Sequence, residues 1–244
     1  MKSSIKTTAR IGGILYLVLI FIGMFSVLFV RDRLIVSRDV TATANNIIAA
    51  QFLWRTGIVA DLIMHVLDIP IMLIMYVLLK PVNKNVALLA LLFNLVQTAV
   101  LVSNKLHLVA ALLPLESLDY LKTVPAYQLQ VQAYLLIKLH DIGFATGLIF
   151  FGFTCLVNGY LIFVSGFLPK IIGAFMQIAG LCYLANSFIL LLAPKFSNIL
   201  IMMPCFVAEL TFCLWLIAKG VKVTRWIEKS TASQNYYDVT PKAI

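Results

Sequence analysis

Acidic and histidine side chains lie inside long apolar stretches of this chain, where such groups could do chemistry. Asp61, His65 and Asp68 share one stretch, and their i, i+4 and i+7 spacing places them on one face of a helix. Glu209 lies in another apolar stretch, far from any basic residue in the sequence. If these stretches cross a membrane, an ionisable group at the centre costs about 2.5–3.5 kcal/mol, and such groups commonly mark ligand, ion or proton sites.

Further polar residues extend this candidate site. Asn94 and Gln97 share one face of a third apolar stretch, and His140 and Asp141 precede a fourth. The candidate ligand- or proton-binding residues are therefore Asp61, His65, Asp68, Asn94, Gln97, His140, Asp141 and Glu209. The alternative is that they serve only interhelical hydrogen bonds and ion pairs, with Asp61 or Asp141 meeting Lys105, Lys138 or Arg55.

Metal and nucleophile chemistry have weaker sequence support. His65, His107 and His140 could supply zinc ligands, but no H-x-x-x-H or H-E-x-x-H spacing places two ligands on one helix. Ser103 near His107 is the one serine–histidine pair in an apolar context, and no acid is placed to orient that histidine. The four cysteines form no C-x-x-C pair. We expect no metal and no cofactor.

Composition defines the elements that must position these residues. The chain has 244 residues, of which 62% are hydrophobic and 12% charged, against about 25% charged in soluble domains. Its apolar stretches run for roughly 20 residues, the length of a membrane-spanning helix and about twice that of a barrel strand. The net charge of +9 comes from residues at the ends of these stretches, which excludes a nucleic-acid-binding face. The fold class is all-α, a polytopic transmembrane bundle of six spans.

The six spans are predicted to form one domain over residues 1–221. The first stretch is too long for a cleavable signal peptide, and no small-residue cleavage site follows it. Residues 39–54 are predicted to form an interfacial helix, and residues 222–244 a disordered cytoplasmic tail. The predicted spans cover residues 11–30, 57–79, 86–110, 142–164, 171–193 and 199–218.

Basic residues in the loops predict the orientation. With both termini in the cytoplasm, eleven of the nineteen lysines and arginines fall on that side. At 1.5 Å per residue, Asp68 and Glu209 then lie about 16 and 13 Å above the inner edge. The histidines and most buried charges lie farther out, so we expect a polar pocket that opens away from the cytoplasm, with Asp68 and Glu209 at its floor.

Small residues predict where helices approach closely. Gly143, Gly147 and Gly152 give the fourth span a smooth face, and Gly173 and Gly180 do so for the fifth. In a six-helix protein we expect these faces to serve contacts within the chain. They leave the oligomeric state open.

Several segments together resemble a known family. The chain is similar to the bacterial membrane family catalogued as domain of unknown function 4386 in residues 59–85 (VADLIMHVLDIPIMLIMYVLLKPVNKN), 159–173 (GYLIFVSGFLPKIIG), 178–188 (IAGLCYLANSF) and 208–221 (AELTFCLWLIAKGV). The resemblance implies a multi-pass protein of the bacterial inner membrane. Its pattern has matching residues at Arg55, Asp61, Asp68, His140 and Glu209, whereas His65 and His107 depart from it.

Three functions stay open at this point. The first is binding or transport of a small molecule or protons, with Asp68 and Glu209 as buried carboxylates. The second is a structural or accessory membrane protein without a ligand. The third is an intramembrane lipid hydrolase with His140 and Asp141 as acid–base groups. The expected partners are the lipid bilayer and a small-molecule or lipid ligand, without nucleic acid.

Overall fold

The computed structural model describes residues 2–116, 122–196 and 198–239, and in these residues the chain is helical, without strands. Six helical segments are long and apolar enough to cross a membrane, which confirms the predicted all-α, six-span class. Their bounds are Ile5–Leu34, Gln51–Leu79, Lys84–Leu115, Ala126–Ser165, Lys170–Leu192 and Leu200–Ala218. Each overlaps one predicted span.

The helices are numbered here in chain order. They are α1 (Lys2–Met24), α2 (Val40–Ala49), α3 (Gln51–Leu79), α4 (Lys84–Ala110), α5 (Ala126–Ser165), α6 (Lys170–Leu192), α7 (Met203–Ala218) and α8 (Val223–Val239). Helix α1 continues through a π-helical segment, Phe25–Arg31, into the short turn Asp32–Leu34. Helix α5 has 40 residues. At 1.5 Å per residue it is about 60 Å long, roughly twice the hydrocarbon core, so it extends beyond a membrane.

Contacts between distant residues define the two ends of the bundle. At one end the amide of Lys222 donates to the Phe167 carbonyl over 3.0 Å, and Trp226 Nε1 donates to the Leu78 carbonyl over 2.9 Å. We call this the terminal end, because α1 begins and α7 ends there. At the other, far end, Trp54 Nε1 donates to the Leu108 carbonyl over 3.0 Å.

The glycine faces pack helix against helix within the chain. A Cβ added at Gly173 in α6 would lie 2.6 Å from the backbone nitrogen of Phe163 in α5, and one at Gly180 would lie 2.7 Å from the Gly152 carbonyl oxygen. Backbones this close leave no room for a side chain. The Leu101 side chain of α4 similarly packs against Gly147, in the space that a side chain there would fill. The prediction of intramolecular contacts is confirmed for these faces.

Two peripheral segments differ from the sequence prediction. The predicted interfacial helix over 39–54 is split, because α2 ends at Ala49 and residues from Gln51 onward belong to α3. The segment predicted as a disordered tail contains α8, Val223–Val239. The Trp226 ring is half-buried against the core and its N–H is bonded to α3, which anchors the first turn of a polar helix. Residues 240–244 of the predicted tail lie outside the described residues.

Candidate functional site

A cavity of about 150 Å³ lies in the centre of the bundle, and all six spans contribute side chains to its wall. On α3 its lining runs from Met64 to Tyr76, and on α4 from Ala87 to Leu101. The cavity therefore occupies the middle of the bundle and the half toward the terminal end. Asp68 and Glu209 both line it.

Asp68 reaches the cavity from α3, two residues before the helix-internal Pro70. Its side chain is buried, and it accepts hydrogen bonds from Thr98 Oγ1 over 2.6 Å and from Asn94 Nδ2 over 3.3 Å. Both donors lie on α4, one turn apart. They are neutral, so the carboxyl has hydrogen-bond partners but no charge partner among them.

Glu209 reaches the cavity from α7 and is also buried. The hydroxyl of Tyr183 on α6 donates to Oε1 of Glu209, and Tyr16 on α1 lies close enough to this carboxyl to interact with it. Asp68 is near enough to Glu209 to interact with it electrostatically. The two acids thus face one cavity, and their hydrogen-bond donors are the neutral side chains of Thr98, Asn94 and Tyr183.

Other polar atoms in the wall have unused hydrogen-bonding capacity. His65 Nε2 and Asn94 Oδ1 are buried and have no hydrogen-bond partner within the described part of the protein. Asn94 Nδ2 is already committed to Asp68, which fixes its amide with the oxygen pointing elsewhere. Gln97 Oε1 lies 3.4 Å from Thr98 Oγ1, whose single hydroxyl proton is already donated to Asp68. Buried polar atoms without a partner are rare in native structures, and in the described residues they also occur outside the cavity wall, at Asp61 Oδ1, His140 Nδ1 and Ser187 Oγ.

A second group of charges lies toward the far end. Asp61 is two helical turns from Asp68 on α3, and its Oδ2 contacts Arg31 Nη1 at 2.5 Å and Lys105 Nζ at 2.9 Å. Lys105 Nζ also lies 3.2 Å from His140 Nε2. We call Arg31, Asp61, Lys105 and His140 the ion-pair cluster. Asp61 and Lys105 are 1% and 2% exposed, so their charges balance each other inside the protein.

The predicted site residues therefore separate into two groups. Asp68, Glu209, His65, Asn94 and Gln97 line the cavity. The others do not: Asp61 and His140 belong to the ion-pair cluster, and Asp141, 47% exposed, pairs with Lys138 at 3.1 Å. The predicted pairs of Asp61 with Lys105 and of Asp141 with Lys138 are present. Arg55 instead contacts Glu116 at 2.8 Å.

The position of the cavity corrects one expectation. The sequence predicted a pocket extending from Asp68 toward the histidine-rich half of the bundle. The cavity extends instead from Asp68 toward the terminal end, as far as Tyr76 and Ala87. The charges on the far side contact one another in the ion-pair cluster.

Three important residues were missed in the sequence. Arg31 was assigned to a loop, but the π-helical segment Phe25–Arg31 carries it to Asp61. Tyr16 and Tyr183 were not considered, although a buried tyrosine hydroxyl usually needs a partner. Both lie within predicted apolar spans, but so do Tyr76 and Tyr160, so the sequence alone does not single them out.

The histidines do not converge. His65 lines the cavity, His107 Nδ1 lies 3.0 Å from Asn104 Oδ1, and His140 contacts Lys105. In residues 2–116, 122–196 and 198–239, no three or more His, Cys, Asp or Glu side chains form a group suited to hold a metal ion.

Six apolar helices around a buried acidic cavity define a polytopic helical membrane protein. The chain belongs to the family described as "Domain of unknown function (DUF4386)", whose model matches residues 11–220. The predicted family resemblance is thereby confirmed. The chain is also similar to an uncharacterised protein of Archaeoglobus fulgidus, with 28% identity over 172 residues that cover 69% of this chain and 86% of that protein. No solved structure matches it.

Proposed function

We propose that this membrane protein binds a small molecule in its central cavity, with Asp68 and Glu209 as the polar anchors. One observation carries the proposal: two buried acids from different helices face one cavity, and their hydrogen-bond partners are neutral. Holding two acids in an apolar interior is costly, and a bound solute or proton would compensate that cost. A carrier or a receptor for small solutes would both use such a site.

The cavity volume limits the size of the ligand. A protein cavity of about 150 Å³ with apolar walls accepts a molecule the size of benzene. His65 and Asn94 also line the cavity and add polar side chains to its wall. The site therefore suits a compact molecule with one polar group.

The test is a thermal-unfolding assay of the purified protein in detergent with three probes of this size: benzyl alcohol, benzylamine and benzoate. A ligand that binds only the folded state stabilises it by about 2.7 kcal/mol at 100 times its Kd. We expect at least one probe to raise Tm. Ala90→Phe, which places a ring in the cavity, should abolish that rise, whereas Leu92→Phe on the lipid-facing side of α4 should not. No rise with any probe, or equal rises in both variants, would contradict the proposal.

The proposal includes a location and an orientation. The family resemblance supports a bacterial inner membrane, and the excess of basic residues supports cytoplasmic termini. In this orientation the cavity lies in the cytoplasmic half of the bundle. The orientation is tested with single cysteines placed at Lys84 and at Phe52 and treated in intact cells with an impermeant thiol reagent. Only the cysteine at position 52 should react.

The ion-pair cluster favours a structural role for its own members. Asp61, Lys105 and His140 contact one another at the far end, outside the cavity. We therefore propose the ligand site without Asp61, His140 and Asp141. The lipid-hydrolase alternative used His140 and Asp141, and the contacts of these residues with Lys105 and Lys138 do not favour it.

A further inference from the structure

We propose that the ligand of the central cavity is a small protonated amine with a compact apolar body, bound between the Asp68 and Glu209 carboxyls. This inference rests on the proposed function and adds the chemical class of the ligand. Three properties of the wall lead to it: the sign of its charge, its excess of acceptors, and its aromatic and methionine surface.

The first property is charge. Among the described residues that line the cavity, Asp68 and Glu209 are acids and none is a lysine or an arginine. Lys105, the basic residue that follows the cavity lining on α4, is held by Asp61 at 2.9 Å. An ionised carboxyl at either position would have no lysine or arginine in the described wall to balance it, so it would attract a cation and repel an anion.

The second property is the balance of donors and acceptors. The hydroxyls of Thr98 and Tyr183 already donate to the acids, and Asn94 Nδ2 donates to Asp68. Asn94 Oδ1 remains as a buried acceptor without a donor. An ammonium group brings three N–H donors and no acceptor. Such a group matches a wall whose two acids are acceptors, whereas a hydroxyl brings one donor only.

The third property is the surface between the polar groups. Aromatic rings of Tyr16, Phe144, Phe151 and Phe212 line the cavity, and ring faces attract cations. Four methionines also line it: Met64, Met72, Met75 and Met176. Methionine side chains adapt to varied apolar shapes, so this wall suits the hydrocarbon part of an amine. A hard metal cation such as Ca²⁺ or Mg²⁺ would instead require a shell of six or more oxygens, which a mostly apolar wall does not offer.

The experiment compares three probes of nearly equal shape and different charge: benzylamine, protonated at neutral pH, neutral benzyl alcohol and anionic benzoate. Their Kd values are measured by calorimetry on the purified protein in detergent, and on Asp68→Asn and Glu209→Gln. Asp141→Asn is the matched control, because it removes one negative charge outside the cavity. Binding of benzyl alcohol to each variant verifies that the cavity is intact.

We expect benzylamine to bind at least tenfold more tightly than benzyl alcohol, and benzoate to bind most weakly. Asp68→Asn and Glu209→Gln should each weaken benzylamine at least tenfold and change benzyl alcohol by less than threefold. Asp141→Asn should leave both unchanged. If the alcohol or benzoate binds as tightly as the amine, or if neither cavity variant lowers amine affinity, the amine inference is wrong and the cavity site stands. If no probe binds, the proposed function fails as well.

Discussion

The contact between Asp61 and Lys105 leads to a quantitative prediction about stability. Their charged atoms are 2.9 Å apart, and both side chains are almost fully buried. At an effective dielectric constant of 20, this separation gives a gross attraction of about 6 kcal/mol. Much of it only offsets the cost of burying the two charges. When one partner is removed, the other stays buried without this attraction to offset its burial. Lys105→Met should therefore destabilise the protein by about 3–5 kcal/mol.

Arg31 moderates this effect, because it remains 2.5 Å from Asp61 when Lys105 is replaced. We therefore expect Lys105→Met at the lower end of that range. Asp61→Asn leaves Lys105 and Arg31 together without a counter-charge and should cost more. In the double variant the lysine and the aspartate are lost together, and the coupling energy should be about 1–3 kcal/mol.

The assay is reversible unfolding in mixed dodecylmaltoside–SDS micelles, followed by circular dichroism, for the two single variants and the double variant. The Lys138–Asp141 pair is a matched control of the same residue types, with both side chains 47% exposed. Its coupling should be about 0.3–0.5 kcal/mol, as for solvent-exposed pairs on one helix. A coupling for Asp61 and Lys105 no larger than that of the control would refute the argument that this pair is a buried structural interaction.

Three further predictions concern other parts of the molecule. Gly173→Val should destabilise the protein by about 2–3 kcal/mol in the same assay, because its Cβ would lie 2.6 Å from the backbone of α5. Ala185→Val, on a lipid-facing side of α6, is the control. Equal destabilisation by the two variants would contradict this packing. Trp226→Phe removes one hydrogen bond, worth about 0.5–1.5 kcal/mol. Because this bond holds the start of α8, tryptic cleavage within α8 should become twofold to tenfold faster, while the rate of cleavage after Lys84 stays constant. Cys155 lines the cavity. In a variant that retains only this cysteine, bound benzylamine should slow the reaction of the Cys155 thiol with a small cationic methanethiosulfonate. An unchanged reaction rate would mean that the amine binds elsewhere.

The sequence predicted the spans well because span length and apolar composition are local properties. Residues 57–79, for example, contain few polar groups and end at a Lys-Pro turn, and they lie within Gln51–Leu79. The pairing of Asp61 with Lys105 was also predictable, because the two charges lie at similar depths on consecutive spans. Both inferences need only the depth of a residue in the membrane.

What could not be predicted depends on how helices are rotated against one another. Glu209 meets Tyr16 and Tyr183 because α7 contacts α1 and α6 on particular faces, and depth alone does not give these faces. Arg31 reaches Asp61 through a π-helical segment, which shifts side-chain directions relative to an α-helix. The direction in which the cavity extends depends on the same helix rotations, so the sequence did not predict it.

The tail shows a further limit. Its composition is polar, which is typical of disorder, but Trp226 anchors the start of α8 to the end of α3. The average composition of the tail does not indicate a single long-range contact of this kind.

The central claim is that Asp68 and Glu209 face one cavity that binds a small protonated amine. The most direct measurement is an experimental structure of the protein with 4-bromobenzylamine, in which the anomalous signal of bromine locates the ligand. We predict a bromine peak in the cavity near Met72 or Met176, with the ammonium within hydrogen-bonding distance, about 3 Å, of an Asp68 or Glu209 carboxylate oxygen. Bromine found only on the lipid-facing surface, beside an empty or water-filled cavity, would contradict the claim.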